Sequence, residues 1–152
     1  MKTLARERDE AEILARLRKL RPDSVRRWGR MSAHQMVCHV GDWSRMLLGR
    51  KPVRPTTSLL RRTAVKWLAL YGPLPWPQGL ETSAELDQQH GGTRPGDFAV
   101  DLAEAATLLE TVAASAGSLA GRPHPFFGAM AERDWLRMAY LHSDHHLRQF
   151  GL

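Results

Sequence analysis

The chain has 152 residues, 43% of them hydrophobic and 25% charged, with a mean hydropathy of -0.39. These values suit one soluble domain with a single apolar core and exclude a collagen-like or low-complexity chain. The net charge of +6 is uneven, with 17 Lys/Arg against 6 Asp/Glu in residues 1–66 and 5 against 10 in residues 67–152.

No window approaches the roughly 18 apolar residues that cross a bilayer, so no membrane span is expected. The N-terminal stretch MKTLARERDEAEIL lacks the apolar run of a signal peptide, so a cytoplasmic location is expected. Cys38 is the only cysteine, and no internal disulfide can form. A basic half can mark a nucleic-acid face. Here the basic residues alternate with Leu at helical spacing and no nucleic-acid motif accompanies them. The preferred reading is an Arg-rich surface that meets the acidic half of its own fold or of a second copy. That leaves a homodimer open, and nucleic acid is not an expected partner.

The first element is an amphipathic helix over residues 8–20, with Ile13, Leu14, Leu17 and Leu20 at three- and four-residue intervals. Arg21-Pro22-Asp23-Ser24 ends it. Ser32 and Gln35 form a capping box that starts a second helix, which runs to about Leu48 and stops at Gly49. Residues 57–71 read as a third helix, ended by Gly72-Pro73. Residues 73–96 are rich in Pro and Gly and lack periodicity; a loop of that length is commonly functional. A fourth helix begins at Asp97 and carries Phe98, Leu102, Leu108, Leu109 and Val112. After HPFFG at 124–128, a last helix spans about Ala131 to Phe150. No strand is expected, and one domain over residues 1–152 is.

The last helix carries most of the chemical information. At about 100° per residue, Trp135, Met138, Ala139, His146 and Gln149 lie within about 60° of His142. His142 and His146 therefore share the core side, one turn apart, where two imidazoles can converge on one metal ion. Asp144 and Arg148 fall on the opposite, solvated face. His145 lies about 60° to the other side of His142, and spacing alone leaves a His142/His145 pair open. On the second helix, His39 shares a face with Met36, Trp43 and Met46, with Asp42 at its edge. A lone histidine in such a place is more often a hydrogen-bonded core residue than a ligand.

The segments MSAHQMVCHVGDW (31–43) and LHSDHHLRQF (141–150) resemble the DinB/YfiT-like superfamily. Within it, PWPQGLETSAELDQQHGGTRPGDF (75–98) and HPFFGAMAERDWLRMAYLHSDHHLRQFG (124–151) resemble a branch known mainly as a domain of unknown function. The likeness covers the chain from about Arg27 onward. It implies an all-α fold, a four-helix bundle with an additional short helix or long ordered loop. It also implies a divalent metal held by one histidine of the second helix and an H-x-x-x-H pair of the last. These fall on His39, His142 and His146, with Gln149 at the position that often follows the last ligand by three. Ala131 departs from the pattern, standing where the last helix usually has a threonine cap.

Three neutral imidazoles suit Zn²⁺ or Ni²⁺ and leave a coordination position open, the catalytic arrangement. A water or thiol bound there loses its proton more readily. Relatives in the wider superfamily carry out thiol chemistry, so the leading expectation is a metal-dependent thiol S-transferase or hydrolase acting on an unidentified small molecule. Asp42 and Gln149 are candidates for orienting the imidazoles. The competing expectation is a noncatalytic bundle that binds a small ligand or partner protein, its histidines structural or its metal a staple. Cys38, about 100° from His39, reads as a packed small residue rather than a fourth ligand. Trp43, Trp76, Phe126, Phe127 and Trp135 line either a pocket or the core. His34 reads as a helix-start residue, His90 as a loop residue, and His124 as part of a loop, before Pro125, that could fold over the metal.

Overall fold

Apolar stripes at helical spacing give each main helix one face to bury, and the architecture follows from how those faces meet. The computed structural model describes residues 1–115 and 117–152 and is mostly helical. Its helices are α1 (Glu7–Leu17), α2 (Ala33–Leu47), α3 (Lys66–Tyr71), α4 (Phe98–Ala114) and α5 (Glu132–Gln149). An antiparallel pair, β1 (Pro123–His124) and β2 (Gly128–Ala129), precedes α5. α2 packs on α4 and α5, α1 packs on the same two helices, and α3 lies against α5. Ile13 and Leu17 of α1, Met36 and Val37 of α2, Leu109 and Val112 of α4, and Trp135 and Ala139 of α5 are all buried in the shared core. Burying each large side chain of this kind contributes roughly 1.5–3 kcal/mol.

The expected capping box is present at α2. Ser32 Oγ accepts from the Gln35 backbone N–H at 3.2 Å, and Gln35 Oε1 accepts from the Ser32 N–H at 2.9 Å. Gly49, at φ +74°, ends the helix in the left-handed conformation that glycine adopts without strain. At α4, Asp97 caps by accepting from the Val100 N–H at 3.0 Å.

Three elements differ from expectation. α1 stops at Leu17 rather than Leu20. The chain tightens there, with Lys19 N–H on the Arg16 carbonyl and Leu20 N–H on the Leu17 carbonyl, which still delivers Leu20 to the core. The third helix passes through a π-helical turn, Arg61–Val65, before α3. Only Leu70 of this stretch is buried, while Leu59, Leu60, Trp67 and Leu68 are exposed, so core packing does not impose a regular helical register on it. The strand-free expectation is corrected by β1 and β2. Their register pairs Pro123 with Ala129 and His124 with Gly128. Gly128 sits at φ +69°, and the strands are set by the turn between them rather than by alternation.

The uneven charge is partly neutralised within the fold. Arg16 pairs with Asp144 at 2.8 Å, Arg18 with Glu110 at 3.1 Å, and Arg45 with Glu104 at 2.5 Å, each joining the basic half to the acidic half. Asp144 also forms an ion pair with Arg148 at 2.9 Å, and its bond from Arg16 ties this edge of α5 to α1 instead of leaving it merely solvated. Among the described residues, no helix is long and apolar enough to cross a membrane.

The start of α5 lacks a side-chain cap: Ala131 has the extended backbone of an N-cap residue, φ -72° and ψ 158°, with no side-chain acceptor for the first free N–H groups. Ala131→Ser is expected to raise stability by about 1 kcal/mol, measured as the shift in denaturant midpoint at unchanged slope. No gain would show that Glu132 and Asp134 in the first turn already satisfy this end electrostatically.

Candidate metal centre

α2 and α5 meet with His39 facing His142 and His146. The three side chains are 2%, 7% and 8% exposed, and one nitrogen from each lies within 4.8 Å of the others. His39 Nε2 and His142 Nε2 are 3.1 Å apart. Two zinc–imidazole bonds at a tetrahedral angle place their nitrogens about 3.3 Å apart, so this spacing already suits a shared cation.

The tautomers follow from the surrounding hydrogen bonds. His39 Nδ1–H donates to the Leu86 carbonyl at 2.8 Å, which leaves the Nε2 lone pair facing His142. Gln149 Nε2 donates to the Trp28 carbonyl at 2.9 Å, so its Oε1 faces His146 and accepts from Nδ1–H at 3.2 Å. His146 therefore also carries its lone pair on Nε2. A partner that fixes the distal N–H is the usual way a protein orients a histidine ligand. His142 is held differently. Its Nδ1 is buried with no hydrogen-bond partner, and the Trp43 indole stacks on the ring at 4.6 Å and 16°. The electron-rich indole face favours an imidazole made electron-poor by a cation.

Burial holds all three imidazoles neutral. It is the leading cause that lowers His39, and it pushes His142 and His146 well below the ordinary histidine range, with neighbouring imidazoles adding to the effect. Neutral rings are the form that ligates metal.

The remaining candidates separate clearly. Gln149 orients an imidazole, as expected. Asp42 does not: it is fully buried and accepts from the Thr93 N–H and hydroxyl, both at 2.7 Å, and from Gln88 at 3.2 Å. It fastens the 73–96 loop to α2. His145 stays outside the triad, its ring 6.0 Å from Trp28 and 5.8 Å from Trp76 between centroids. Cys38 is also outside it, buried and donating to Asp101 at 3.7 Å; burial and the Asp101 charge push the thiol up to about 12. Trp43 and Trp135 pack edge to face beside the triad, whereas Trp76 covers His145.

His90 lies in the loop, paired with Asp87 at 3.2 Å. His124 is buried at the end of β1, where its Nδ1 accepts from the Phe126 and Phe127 N–H groups of the turn at 3.0 and 3.3 Å. Burial alone pushes it down to about 4. Its ring stacks on Phe127 and lies 5.0 Å from it, so Phe127 belongs to the core, while Phe126 packs against Phe127 and under the Arg61 guanidinium. The Leu86 carbonyl is the contact that side-chain reasoning missed. The only sequence signal for it is the long loop itself.

No curated protein and no solved structure matches the chain. The family described as "Protein of unknown function (DUF1569)" matches it over residues 5–151, nearly its full length, and the chain belongs to that family.

Proposed function

We propose that this protein is a metal-dependent enzyme of the DinB/YfiT-like type. In this reading its helices form a four-helix bundle, and His39, His142 and His146 hold one divalent transition metal, Zn²⁺ or Ni²⁺. The observation that carries the reading is the convergence of three buried neutral imidazoles, two of them oriented through their distal nitrogens by Leu86 and Gln149. The donor set suits a borderline metal, and three protein ligands leave a position for substrate. Such a metal supplies Lewis acidity that lowers the pKa of a water or thiol it binds. The chain's own part is to present three lone pairs, to keep the rings unprotonated and to exclude bulk water. Thiol S-transfer and hydrolysis on a small molecule are the reaction classes that use this chemistry, in a cytoplasmic setting.

A second reading has its own supporting observation. The triad is nearly inaccessible, and a surface cavity at the C-terminal end of α2, lined by Met46, Lys51, Arg122, Pro123 and Trp135, includes no ligand histidine. In that case the metal joins α2 to α5 without turnover, and the bundle binds a ligand or partner.

Elemental analysis of protein purified without an affinity tag tests the site. Measured in a Cys38→Ser background, so that the triad alone is counted, the expected result is one transition metal per chain, lost in His39→Ala and in His146→Ala and kept in His145→Ala. Retention in the first two, or loss in the third, overturns the ligand assignment. Turnover of thiol or ester substrates that disappears with the metal and returns on its addition separates the enzyme from the staple.

A further inference from the structure

On the other side of α2, away from the triad, a second group of donor atoms meets between α2 and α4. His34 and Cys38 stand four residues apart on α2, so they share one face. Asp101 faces them from the first turns of α4. His34 Nε2 is 2.6 Å from Asp101 Oδ2, Cys38 Sγ is 3.7 Å from the same oxygen, and all three donor atoms lie within 4.8 Å of one another. The Gly96 N–H donates to that oxygen at 2.9 Å and holds the carboxylate in place. Phe98 packs edge to face on the His34 ring at 5.2 Å. The His34 and Asp101 side chains are 20% and 17% exposed, so the group opens to solvent on their side and is closed by the buried sulfur on the other.

We propose that His34, Cys38 and Asp101 form a second divalent-metal site, separate from the histidine triad and suited to a Zn²⁺-like cation. A helix-to-helix tie would need only the His34–Asp101 contact, and a thiol hydrogen bond as long as 3.7 Å adds little to it. Zinc, in contrast, takes nitrogen, sulfur and oxygen ligands together. Ordinary zinc bonds at tetrahedral angles put sulfur about 3.6 Å and nitrogen about 3.4 Å from the ligand oxygen. The Sγ–Oδ2 spacing of 3.7 Å is already close to the first value. The His34 ring must withdraw by about 0.8 Å to reach the second, a side-chain adjustment open to a partly exposed residue. Water fills the fourth position. Binding breaks the S–H bond, the proton goes to solvent, and the thiolate electron pair forms the metal–sulfur bond; the His34 proton that faces Asp101 leaves Nε2 for solvent while Nδ1 carries the N–H, so that the Nε2 lone pair forms the metal–nitrogen bond, with no change of oxidation state.

Cobalt(II) reports this site directly, because a thiolate ligand adds a strong near-ultraviolet charge-transfer absorption that imidazoles and carboxylates do not. Cys38 is the only cysteine in the chain, so any such band comes from it. Titrating the metal-free full-length chain with Co²⁺ is expected to develop the band to saturation. Cys38→Ser should abolish it. His34→Gln and Asp101→Asn should each weaken the affinity read from the band by at least about tenfold. His39→Ala should leave band and affinity unchanged, which also separates this inference from the triad: the sulfur band forms whether or not the triad takes metal. Absence of the band in the unmodified protein, its persistence at full affinity in both His34→Gln and Asp101→Asn, or its loss in His39→Ala overturns the proposal.

Discussion

Excess Zn²⁺ is expected to raise the melting temperature clearly at neutral pH and to lose that effect in mild acid. The ligands come from α2 and α5, far apart in sequence, so the unfolded chain holds no comparable site. Metal bound by the native state alone adds about 4 kcal/mol at a thousand times its dissociation constant. For a domain of this size that corresponds to a shift of roughly 10 °C. The direction with pH follows from the imidazoles. Burial first, and neighbouring imidazoles second, keep the folded-state pKa values of His142 and His146 well below the ordinary value; His39 is lowered by burial as well. A histidine depressed in the folded state contributes stability that is present above the unfolded-state pKa of about 6.5 and is lost as pH falls below it. Bound metal competes with the same protons and extends the trend. The measurement is thermal melting with and without Zn²⁺ at neutral pH and again well below pH 6. It is made in a Cys38→Ser background so that the α2–α4 cluster does not contribute. A His39/His142/His146 triple alanine variant in that background should show no comparable shift. An equal shift there would place the stabilising metal elsewhere.

The inward direction of the three histidines could be read from spacing for a definite reason, while their grouping as one ligand set came from the family resemblance. Helical spacing converts directly into direction, so the i, i+4 pair of His142 and His146 among Trp135, Met138 and Ala139 had to point inward, as did His39 beside Met36 and Trp43. The same arithmetic separated Cys38 from His39. The capping box was equally legible, since Ser32 and Gln35 act through local backbone bonds. What could not be read was everything supplied across space by irregular chain. The Leu86 carbonyl that fixes His39 belongs to a short 3₁₀ turn inside the 73–96 loop, and backbone carbonyls carry no residue signature. The β1–β2 pair depends on a turn around Gly128 and is too short to show alternation. Asp42 was placed at the edge of the correct helix face. Its partner proved to be the loop rather than an imidazole, because the pairing of Asp42 with Thr93 spans 51 residues and has no periodic trace.

That misplaced aspartate leads to the largest single-residue effect on folding expected outside the core. Asp42 is fully buried, and its two oxygens satisfy the Thr93 N–H, the Thr93 hydroxyl and the Gln88 amide while pairing with Arg45 at 3.0 Å and Lys51 at 3.4 Å. Asp42→Ala removes all of these acceptors at once. It leaves the Thr93 N–H without its partner and two cations without their buried counter-charge, a situation that typically destabilises by about 3–5 kcal/mol. Arg45 and Lys51 are each about a fifth exposed and can turn toward water, which favours the lower end. Asp42→Asn keeps an acceptor and the side-chain shape, so its loss should be roughly half as large. The consequence reaches the metal centre through the chain. Gln88 and Thr93 anchor the loop whose Leu86 carbonyl orients His39, so releasing that anchor should also weaken metal affinity about 10- to 100-fold, as loss of an orienting partner does. Denaturant melts of the metal-free proteins read the first effect, and zinc titrations in the Cys38→Ser background read the second. A loss below about 1 kcal/mol in Asp42→Ala, which is the ordinary scale for a single hydrogen bond, would show that the loop is held without Asp42. Full stability loss with unchanged zinc affinity would show that Leu86 stays in place without Asp42 and that the loop's two roles are independent.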